Sequence, residues 1–230
     1  MATQRTKGAI LVLESPWGLD KHDANRSSVR PFIEGMAKYA GDIEVCHTTF
    51  YDEHSFEVGL DKLCRTPFNN TLVYVAAHGS ETRAGAHLTD ISSAVRGRAS
   101  EFNISGMLLG SCFAGSNTKA HQFAIQGSPL RWIIGYASEC DWLTGTMIDC
   151  ALLHEAIRFQ KNSFGQANLV KRFSEALAPF SADAYIGDDC EGEPTALRDS
   201  LQIVVQTPGS GNRPAVISDE VFAAHALLQI

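Results

Sequence analysis

Short apolar runs bounded by turn residues recur along the chain and predict the strands of a sheet. The first run extends from Gly8 to Leu13 and is followed by turn residues at positions 15–18. A continuous apolar run of this length is typical of a strand that is buried on both faces. Five further strands are predicted in the same way, at residues 43–50, 71–77, 107–110, 132–137 and 201–205.

Segments with apolar residues at helical spacing lie between these strands and predict helices. The first helix is expected over residues 28–40, with Pro31 in its first turn, where the missing N–H is harmless, and Gly41 after its end. Others are expected near residues 56–64, 92–98, 146–160 and 166–178. Strands that alternate with helices indicate an α/β fold: a single-domain, mostly parallel six-stranded sheet with helices on both faces.

No linker interrupts this pattern, so residues 1–230 are expected to form one domain. Residues 181–199 are polar and contain Gly187 and Pro194, which predicts a long surface loop. Residues 207–230 are expected to extend the last strand and to end in a C-terminal tail.

The composition argues against several classes of protein. Of the 230 residues, 44% are hydrophobic and 20% are charged, which is typical of a globular chain rather than a disordered one. The net charge of −7 argues against nucleic acid or an anionic membrane as a partner. No apolar run approaches the ~20 residues of a membrane span, and the run from Ala9 to Leu13 is too short for a signal peptide. We therefore expect a cytoplasmic protein.

The cysteines are scattered and include no closely spaced pair. They are Cys46, Cys64, Cys112, Cys140, Cys150 and Cys190. A disulfide framework is typical of short secreted chains and is not expected here. The sequence also lacks the clustered Cys and His spacing of a zinc site, and neither a metal nor an organic cofactor is expected.

Two reactive side chains directly follow predicted strands. The strand at residues 71–77 leads into His78 and Gly79, and the strand at residues 107–110 leads into Ser111 and Cys112. Functional groups of open α/β sheets gather at the carboxyl ends of the strands. If the two strands are neighbours, His78 and Cys112 emerge side by side at the same edge of the sheet.

This pair has the chemistry of a thiol nucleophile and its base. A free thiol with a pKa of about 8.5 is only slightly ionised at neutral pH, and a nearby imidazole can take up its proton and later protonate a leaving amine. The backbone N–H groups of Gly79 and Cys112 are candidates for stabilising the oxyanion that develops during the reaction. His121 follows on a predicted helix and is expected to be an ordinary surface or helix-face histidine.

The residues around this pair resemble those of a known group of enzymes. His78-Gly79 after one apolar strand, followed by Gly110-Ser-Cys-Phe-Ala-Gly115 after the next, is similar to the pattern of the caspase-hemoglobinase fold. That group includes caspases, metacaspases, gingipains, legumain, separase and the bacterial CHAT-domain peptidases. The metacaspase form of the second motif is Asp-Ser-Cys-x-Ser-Gly, so Gly110 stands where metacaspases have an aspartate.

The resemblance implies a cysteine endopeptidase, or thiol protease, that acts on protein or peptide substrates. Cys112 would be its nucleophile, His78 its general base and acid, and Gly79 an oxyanion donor. The stretch from Ser138 to Trp142 resembles the Ser-x-Cys-x-Asp stretch of metacaspases, in which an acidic residue lines a pocket for Arg or Lys.

Cleavage after Arg or Lys is therefore expected, with Asp141 as the acidic residue of the pocket, one position earlier than in metacaspases. The alternative is that Asp141 only caps the following helix. The residues expected to bind substrate are Ser138, Asp141, Trp142, Asp20 and Asp23. An extended substrate is expected to pair with the backbone of residues 135–139.

Two other functions fit parts of the pattern. An α/β-hydrolase with a Cys nucleophile would need a G-x-C-x-G turn and a His after the nucleophile, whereas Ala114 occupies the second glycine position and His78 precedes Cys112. A non-catalytic binding module could keep the fold of a peptidase, but intact His78 and Cys112 argue against it. The resemblance further implies activation by a regulatory partner protein and a role in bacterial stress or antiphage defence.

Overall fold

The computed structural model describes residues 8–16, 28–160, 164–209 and 211–229. Its strands, in chain order, are β1 (Gly8–Glu14), β2 (Ile43–Thr49), β3 (Asn70–Ala76), β4 (Gly79–Ser80), β5 (Arg83–Ala84), β6 (Ala86–His87), β7 (Ile104–Gly110), β8 (Trp132–Tyr136), β9 (Tyr185–Asp188), β10 (Pro194–Ala196), β11 (Leu201–Val205) and β12 (Ala215–Val216). Its helices are α1 (Arg30–Ala40), α2 (Glu53–Leu63), α3 (Leu88–Ala99), α4 (Thr118–Ile125), α5 (Trp142–Ala156), α6 (Gln166–Leu177), α7 (Leu197–Ser200) and α8 (Ser218–Ala226).

The central sheet contains seven strands in the order β12-β11-β8-β7-β3-β1-β2. The strands from β8 to β2 run parallel, β11 is antiparallel to β8, and β12 is antiparallel to β11. The prediction of an α/β fold with a mostly parallel sheet is confirmed, but the expected number of six strands is wrong. The additional strand, β12, has only two residues and follows a Pro- and Gly-rich turn, so it produces no apolar run in the sequence.

Helices cover both faces of this sheet. The buried apolar side chains of α1, α5, α6 and α8 form one core with the first face. Those of α2, α3 and α4 form a second core on the opposite face. Because both faces are covered, β1 and β3 are buried along their whole length. None of the helices in the described ranges is long and apolar enough to cross a bilayer.

Two segments carry more regular structure than the sequence predicts. The surface loop expected at residues 181–199 is instead the hairpin of β9 and β10 followed by α7, with Ile186 and Leu197 buried. The tail expected within residues 207–230 contains β12 and α8, and Val221 of α8 is buried in the core. Residues 181–199 are mostly polar, so their few buried residues form no apolar run. The buried residues of α8 recur at helical spacing, but two of them, Ser218 and His225, are polar, so the apolar pattern is weak.

Candidate active site

The two reactive side chains follow neighbouring strands of the sheet. β3 and β7 are parallel partners with Ala76 opposite Gly110, and the Ala77 N–H donates to the Gly110 carbonyl over 3.4 Å. His78 and Cys112 each lie two residues beyond the last register pair. His78 is exposed and Cys112 is half-buried. Both residues therefore emerge at the carboxyl edge of the sheet, which is the edge where open α/β sheets carry their functional groups.

Gly79 brings the backbone after β3 against the backbone of Cys112. A Cβ atom at Gly79 would lie 2.2 Å from the Cys112 carbonyl oxygen and 3.0 Å from the Cys112 nitrogen. Only glycine therefore allows the two backbones to approach in this way. The pairing of β4 with β5 holds the segment, and the Gly85 N–H donates to the His78 carbonyl over 3.1 Å. The two N–H groups predicted to stabilise an oxyanion thus belong to adjoining pieces of backbone.

The loop after Cys112 is held by the end of β8. The Phe113 N–H donates to the Ser138 carbonyl over 3.0 Å, and the Gly115 N–H donates to the Tyr136 carbonyl over 2.7 Å. Phe113 has a φ of +60°, a left-handed conformation that is strained for a bulky residue. The bonds to β8 fix this conformation and hence the direction in which Cys112 points.

His121 fastens the same loop from α4. Its side chain is buried, and its Nε2 lies 2.7 Å from the Ala114 carbonyl oxygen. Burial lowers the pKa of His121, so the ring is neutral and donates its N–H to this carbonyl. The sequence allows a surface or a helix-face position for His121, and the structure places it on the buried face of α4.

The thiol of Cys112 lies against the backbone of Cys140. Its Sγ is 3.4 Å from the Cys140 nitrogen and 3.9 Å from the Cys140 carbonyl oxygen. Burial raises the pKa of the Cys112 thiol, and the N–H groups of Cys140 and of Cys112 itself oppose that shift only in part. The thiol is consequently protonated at neutral pH and needs a base before it can attack a carbonyl carbon.

Comparison with known proteins adds no family to this description. No protein-family model matches the chain. No curated protein sequence matches it significantly either.

A small pocket opens beside the thiol of Cys112. Asp141 and Trp142, both predicted to bind substrate, are part of its lining. The Asp141 carboxylate caps α5, because its Oδ1 accepts bonds from the Thr144 N–H (2.9 Å) and the Thr144 hydroxyl (2.8 Å). Trp142 is half-buried and packs edge-on against Phe32, with ring centroids 5.5 Å apart. Asp141 thus lies at the pocket but is held by the helix that it begins.

The other residues predicted to bind substrate are Ser138, Asp20 and Asp23. Ser138 is buried, and its hydroxyl donates to the Glu139 carbonyl (2.6 Å) and lies 2.7 Å from Ser200 Oγ. Its side chain therefore joins the end of β8 to the start of β11, and its role in binding substrate stays a prediction. Asp20 and Asp23 lie outside the described residues.

The backbone edge at residues 135–139, where substrate pairing is expected, is already occupied. The Ala137 N–H donates to the Ser200 carbonyl, and the Glu139 N–H donates to the Asp188 carbonyl. The donor–acceptor distance is 2.8 Å in both bonds. The carbonyls of residues 136 and 138 accept bonds from the loop after Cys112. These groups are committed to protein partners, so that expectation is wrong. The next residue, Cys140, faces the Cys112 thiol with both its N–H and its carbonyl.

A buried carboxylate that the sequence analysis does not single out also lines the pocket. Asp149 of α5 is only 2% exposed. Tyr74 of β3 donates to its Oδ2 over 2.7 Å, and Tyr136 of β8 donates to its Oδ1 over 2.8 Å. Between these strands β7 presents Gly110, and a Cβ atom there would lie 2.6 Å from Asp149 Oδ2. The carboxylate therefore occupies the space that a side chain at Gly110 would need.

One sequence signal points to Asp149. It belongs to the buried stripe of α5 together with Gly145, Leu152 and Ala156. A charged residue on such a stripe requires a partner and is a candidate for function.

The acidic and thiol side chains here are too dispersed for a metal: among the described residues, no three His, Cys, Asp or Glu side chains cluster as metal ligands.

The stability of the protein should depend on the ionisation of Asp149. Burial raises the pKa of Asp149 to about 7, and the bonds from the two tyrosine hydroxyls oppose this shift. Since the folded-state pKa lies above the unfolded value of about 3.9, the folded protein holds this proton more tightly than the unfolded chain does. The resulting stabilisation is complete below about pH 4 and is lost as the pH rises through about 7.

Asp149→Asn removes this titration while keeping the size of the side chain. We expect the free energy of unfolding of the parent, relative to that of the variant, to fall by up to about 4 kcal/mol between about pH 4 and pH 8. Urea unfolding across this range measures the difference. The exposed Asp90→Asn on α3 is the control for the effect of the substitution itself. A difference for Asp149→Asn that stays constant with pH would contradict the prediction.

Proposed function

We propose that this protein is a cysteine endopeptidase in which Cys112 is the nucleophile and His78 is the general base and acid. The observation that carries the proposal is the meeting of two strand ends, where the Gly79 backbone lies against the backbone of Cys112. The acidic pocket beside the thiol supports it, because a specific peptidase needs a place for a substrate side chain.

The reaction would proceed through a thioester. The Sγ of Cys112 bonds to the carbonyl carbon of the scissile peptide while its proton passes to His78; the C–N bond then breaks and the amine leaves with that proton. In the second half, His78 takes a proton from water, the water oxygen bonds to the acyl carbon, and Sγ departs and is reprotonated. The N–H groups of Gly79 and Cys112 would stabilise the oxyanion formed in each half. The raised pKa of the Cys112 thiol makes the proton transfer to His78 necessary.

The substrate backbone is expected to pair with Cys140. The N–H and carbonyl of Cys140 face the thiol, and they are the kind of backbone groups to which an extended peptide binds. The side chain before the scissile bond would then enter the pocket, whose described lining contains the acidic residues Asp141 and Asp149 but no Lys, Arg or His. This charge favours cleavage after Arg or Lys.

The two rival functions are less consistent with the site. In an α/β-hydrolase the nucleophile sits on a sharp turn between strand and helix, whereas residues 113–117 separate Cys112 from α4 and are bonded to β8. Glycine at position 79 allows the backbone after His78 to approach Cys112 closely. A non-catalytic binding module would not require this approach. Activation by a partner protein and a role in bacterial stress or antiphage defence stay predictions from the resemblance.

A peptide acyloxymethylketone with Arg before the reactive group tests the proposal, because it alkylates the nucleophile of a cysteine peptidase. We expect labelling at Cys112, loss of labelling in Cys112→Ala and His78→Ala, and full labelling in Cys46→Ala. Cys46 is a matched control, since it is a partly buried free thiol on β2 at the far edge of the sheet. Peptide mapping by mass spectrometry measures the result. A folded protein that is unlabelled, or labelled equally at Cys46 and Cys190, would show that the assignment is wrong.

A further inference from the structure

We propose that Asp149, rather than Asp141, is the carboxylate that selects a basic side chain before the scissile bond. The inference rests on the proposed peptidase function and assigns its specificity to one residue. Cys112 and Asp149 line the same cavity. A side chain that enters beside the thiol therefore meets this carboxylate.

The two acidic residues of the pocket differ in what their oxygens contact. Asp141 is exposed and accepts two bonds from Thr144 as the cap of α5. Asp149 contacts only the neutral hydroxyls of Tyr74 and Tyr136, and none of the ion pairs among the described residues includes it. A buried carboxylate without a cation is unfavourable. A ligand that supplies the missing positive charge is therefore bound more strongly than a neutral one.

Two glycines make room for polar side chains of the pocket, Gly110 for Asp149 and Gly145 for Cys140. A Cβ atom at Gly110 would lie 2.6 Å from Asp149 Oδ2, and one at Gly145 would lie 2.7 Å from Cys140 Sγ. Both glycines are part of the pocket lining. Metacaspases have an aspartate at the position of Gly110. In this chain the carboxylate of Asp149 reaches the same place from α5.

Two other groups of the lining lack hydrogen-bond partners. The Ser111 hydroxyl and the Trp142 indole N–H are buried and make no hydrogen bond within the described part of the chain. Buried polar groups are nearly always paired, so unpaired ones call for a ligand or a water molecule. The Ser111 hydroxyl can accept a bond from an ammonium or guanidinium group.

The pocket is narrow and must widen when a side chain enters. Its free space is about 20 Å³, which holds about one water molecule. The head of a basic side chain would displace that water, while its stem needs more room. Tyr74 and Tyr136 are fully buried, whereas Trp142 is half-buried and Asp141 is exposed. We therefore expect the pocket to widen on its less buried side, at Trp142.

The charge of the pocket should change near neutral pH. Four groups around Asp149 have pKa values raised by burial: Tyr74 of β3, Tyr136 of β8, Cys140 before α5 and Cys150 of α5. Across the pocket, the pKa of the Cys112 thiol is also raised, and that of Asp141 is lowered by its bonds to Thr144. Asp149, with a pKa of about 7, is the lining residue that gains charge in this range.

A pair of isosteric substrates isolates this carboxylate. Peptides with Arg or citrulline before a fluorogenic reporter differ in charge but hardly in shape. We expect the parent to prefer Arg by at least about 100-fold in kcat/KM, and Asp149→Asn to abolish the preference while still hydrolysing the citrulline peptide. Asp141→Asn should retain the preference. Because the dyad acts on both peptides, the ratio does not report a general loss of activity.

The pH dependence of the same ratio gives a second readout. The Arg-to-citrulline ratio of the parent should rise as the pH passes through about 7, the pKa of Asp149, and should be flat in Asp149→Asn. An Arg preference that survives Asp149→Asn, or is lost in Asp141→Asn, would overturn the inference. Hydrolysis through Cys112 without any Arg preference would overturn it and leave the peptidase function standing. If no peptide is hydrolysed in a Cys112-dependent way, the proposed function itself fails.

Discussion

Cys112→Ala should lower kcat/KM for peptide hydrolysis by at least about 10³-fold while the protein stays folded. The loss follows because alanine cannot form the thioester, and covalent catalysis with help from a base is worth several orders of magnitude. The fold should persist, since Cys112 is half-buried at a strand end and its thiol makes only long contacts to the Cys140 backbone. We expect the free energy of unfolding to change by less than about 1 kcal/mol.

His78→Ala should lower the same rate by at least about 10²-fold, because the protonated thiol of Cys112 then has no base. The double variant should be no slower than the slower single variant, since residues that act as one unit have non-additive effects. Steady-state kinetics and thermal melts measure these quantities, with Cys46→Ala as the control that keeps the parent's rate. A purified Cys112→Ala protein that hydrolyses peptides as fast as the parent would exclude the dyad.

Gly79→Ala should lower kcat/KM by at least about 100-fold with the dyad intact. The added Cβ would lie 2.2 Å from the Cys112 carbonyl oxygen and 2.8 Å from the Ser111 Cβ, so either the backbone after β3 or the nucleophile loop must shift. A displacement of about 1 Å at reacting groups is enough for a loss of this size. The shift would also separate the N–H groups of Gly79 and Cys112, which are expected to act together on the oxyanion.

Gly97→Ala is the matched control for this substitution. Gly97 lies within α3, and no atom lies within 4 Å of the position that its Cβ would take. Alanine there should leave the rate unchanged and stabilise the protein by about 0.5–1 kcal/mol, since glycine weakens a helix. Kinetics, and labelling of Cys112 by the acyloxymethylketone, measure both variants. If Gly79→Ala matches the parent in rate and labelling, the close approach of the two backbones has no part in catalysis.

Apolar runs in the sequence predicted the main strands because buried strands of a parallel sheet need apolar residues on both faces. The elements that were missed have a different physical basis. β12 pairs through only two residues, and β9 joins the site by backbone bonds from the N–H groups of Glu139 and Asp141 to the carbonyls of Asp188 and Ile186. Backbone bonds of this kind do not require particular side chains, so they leave no signal in the sequence.

The two acidic residues of the pocket also differ in what the sequence shows of them. Asp141 follows a strand within a recognisable motif, and the sequence therefore predicts that it binds substrate. The free N–H groups at the start of α5 need an acceptor, however, and the Asp141 carboxylate accepts the bond from the Thr144 N–H there. Asp149 lies in the interior of a helix, where no motif marks it. Its place in the pocket depends on the tertiary structure, in which α5 lies over β7 with the carboxylate above Gly110.

The sequence by itself determined which reactive side chains follow which strands, because an apolar run and the residue after it are read directly from the chain. It thereby placed His78 after β3 and Cys112 after β7. The tertiary structure decided that these strands are neighbours, in what register they pair, and which carboxylate reaches the pocket. Those outcomes depend on contacts between residues far apart in the chain. Several strand orders and registers are equally compatible with the local sequence, and the one observed packs the core and pairs the buried polar groups.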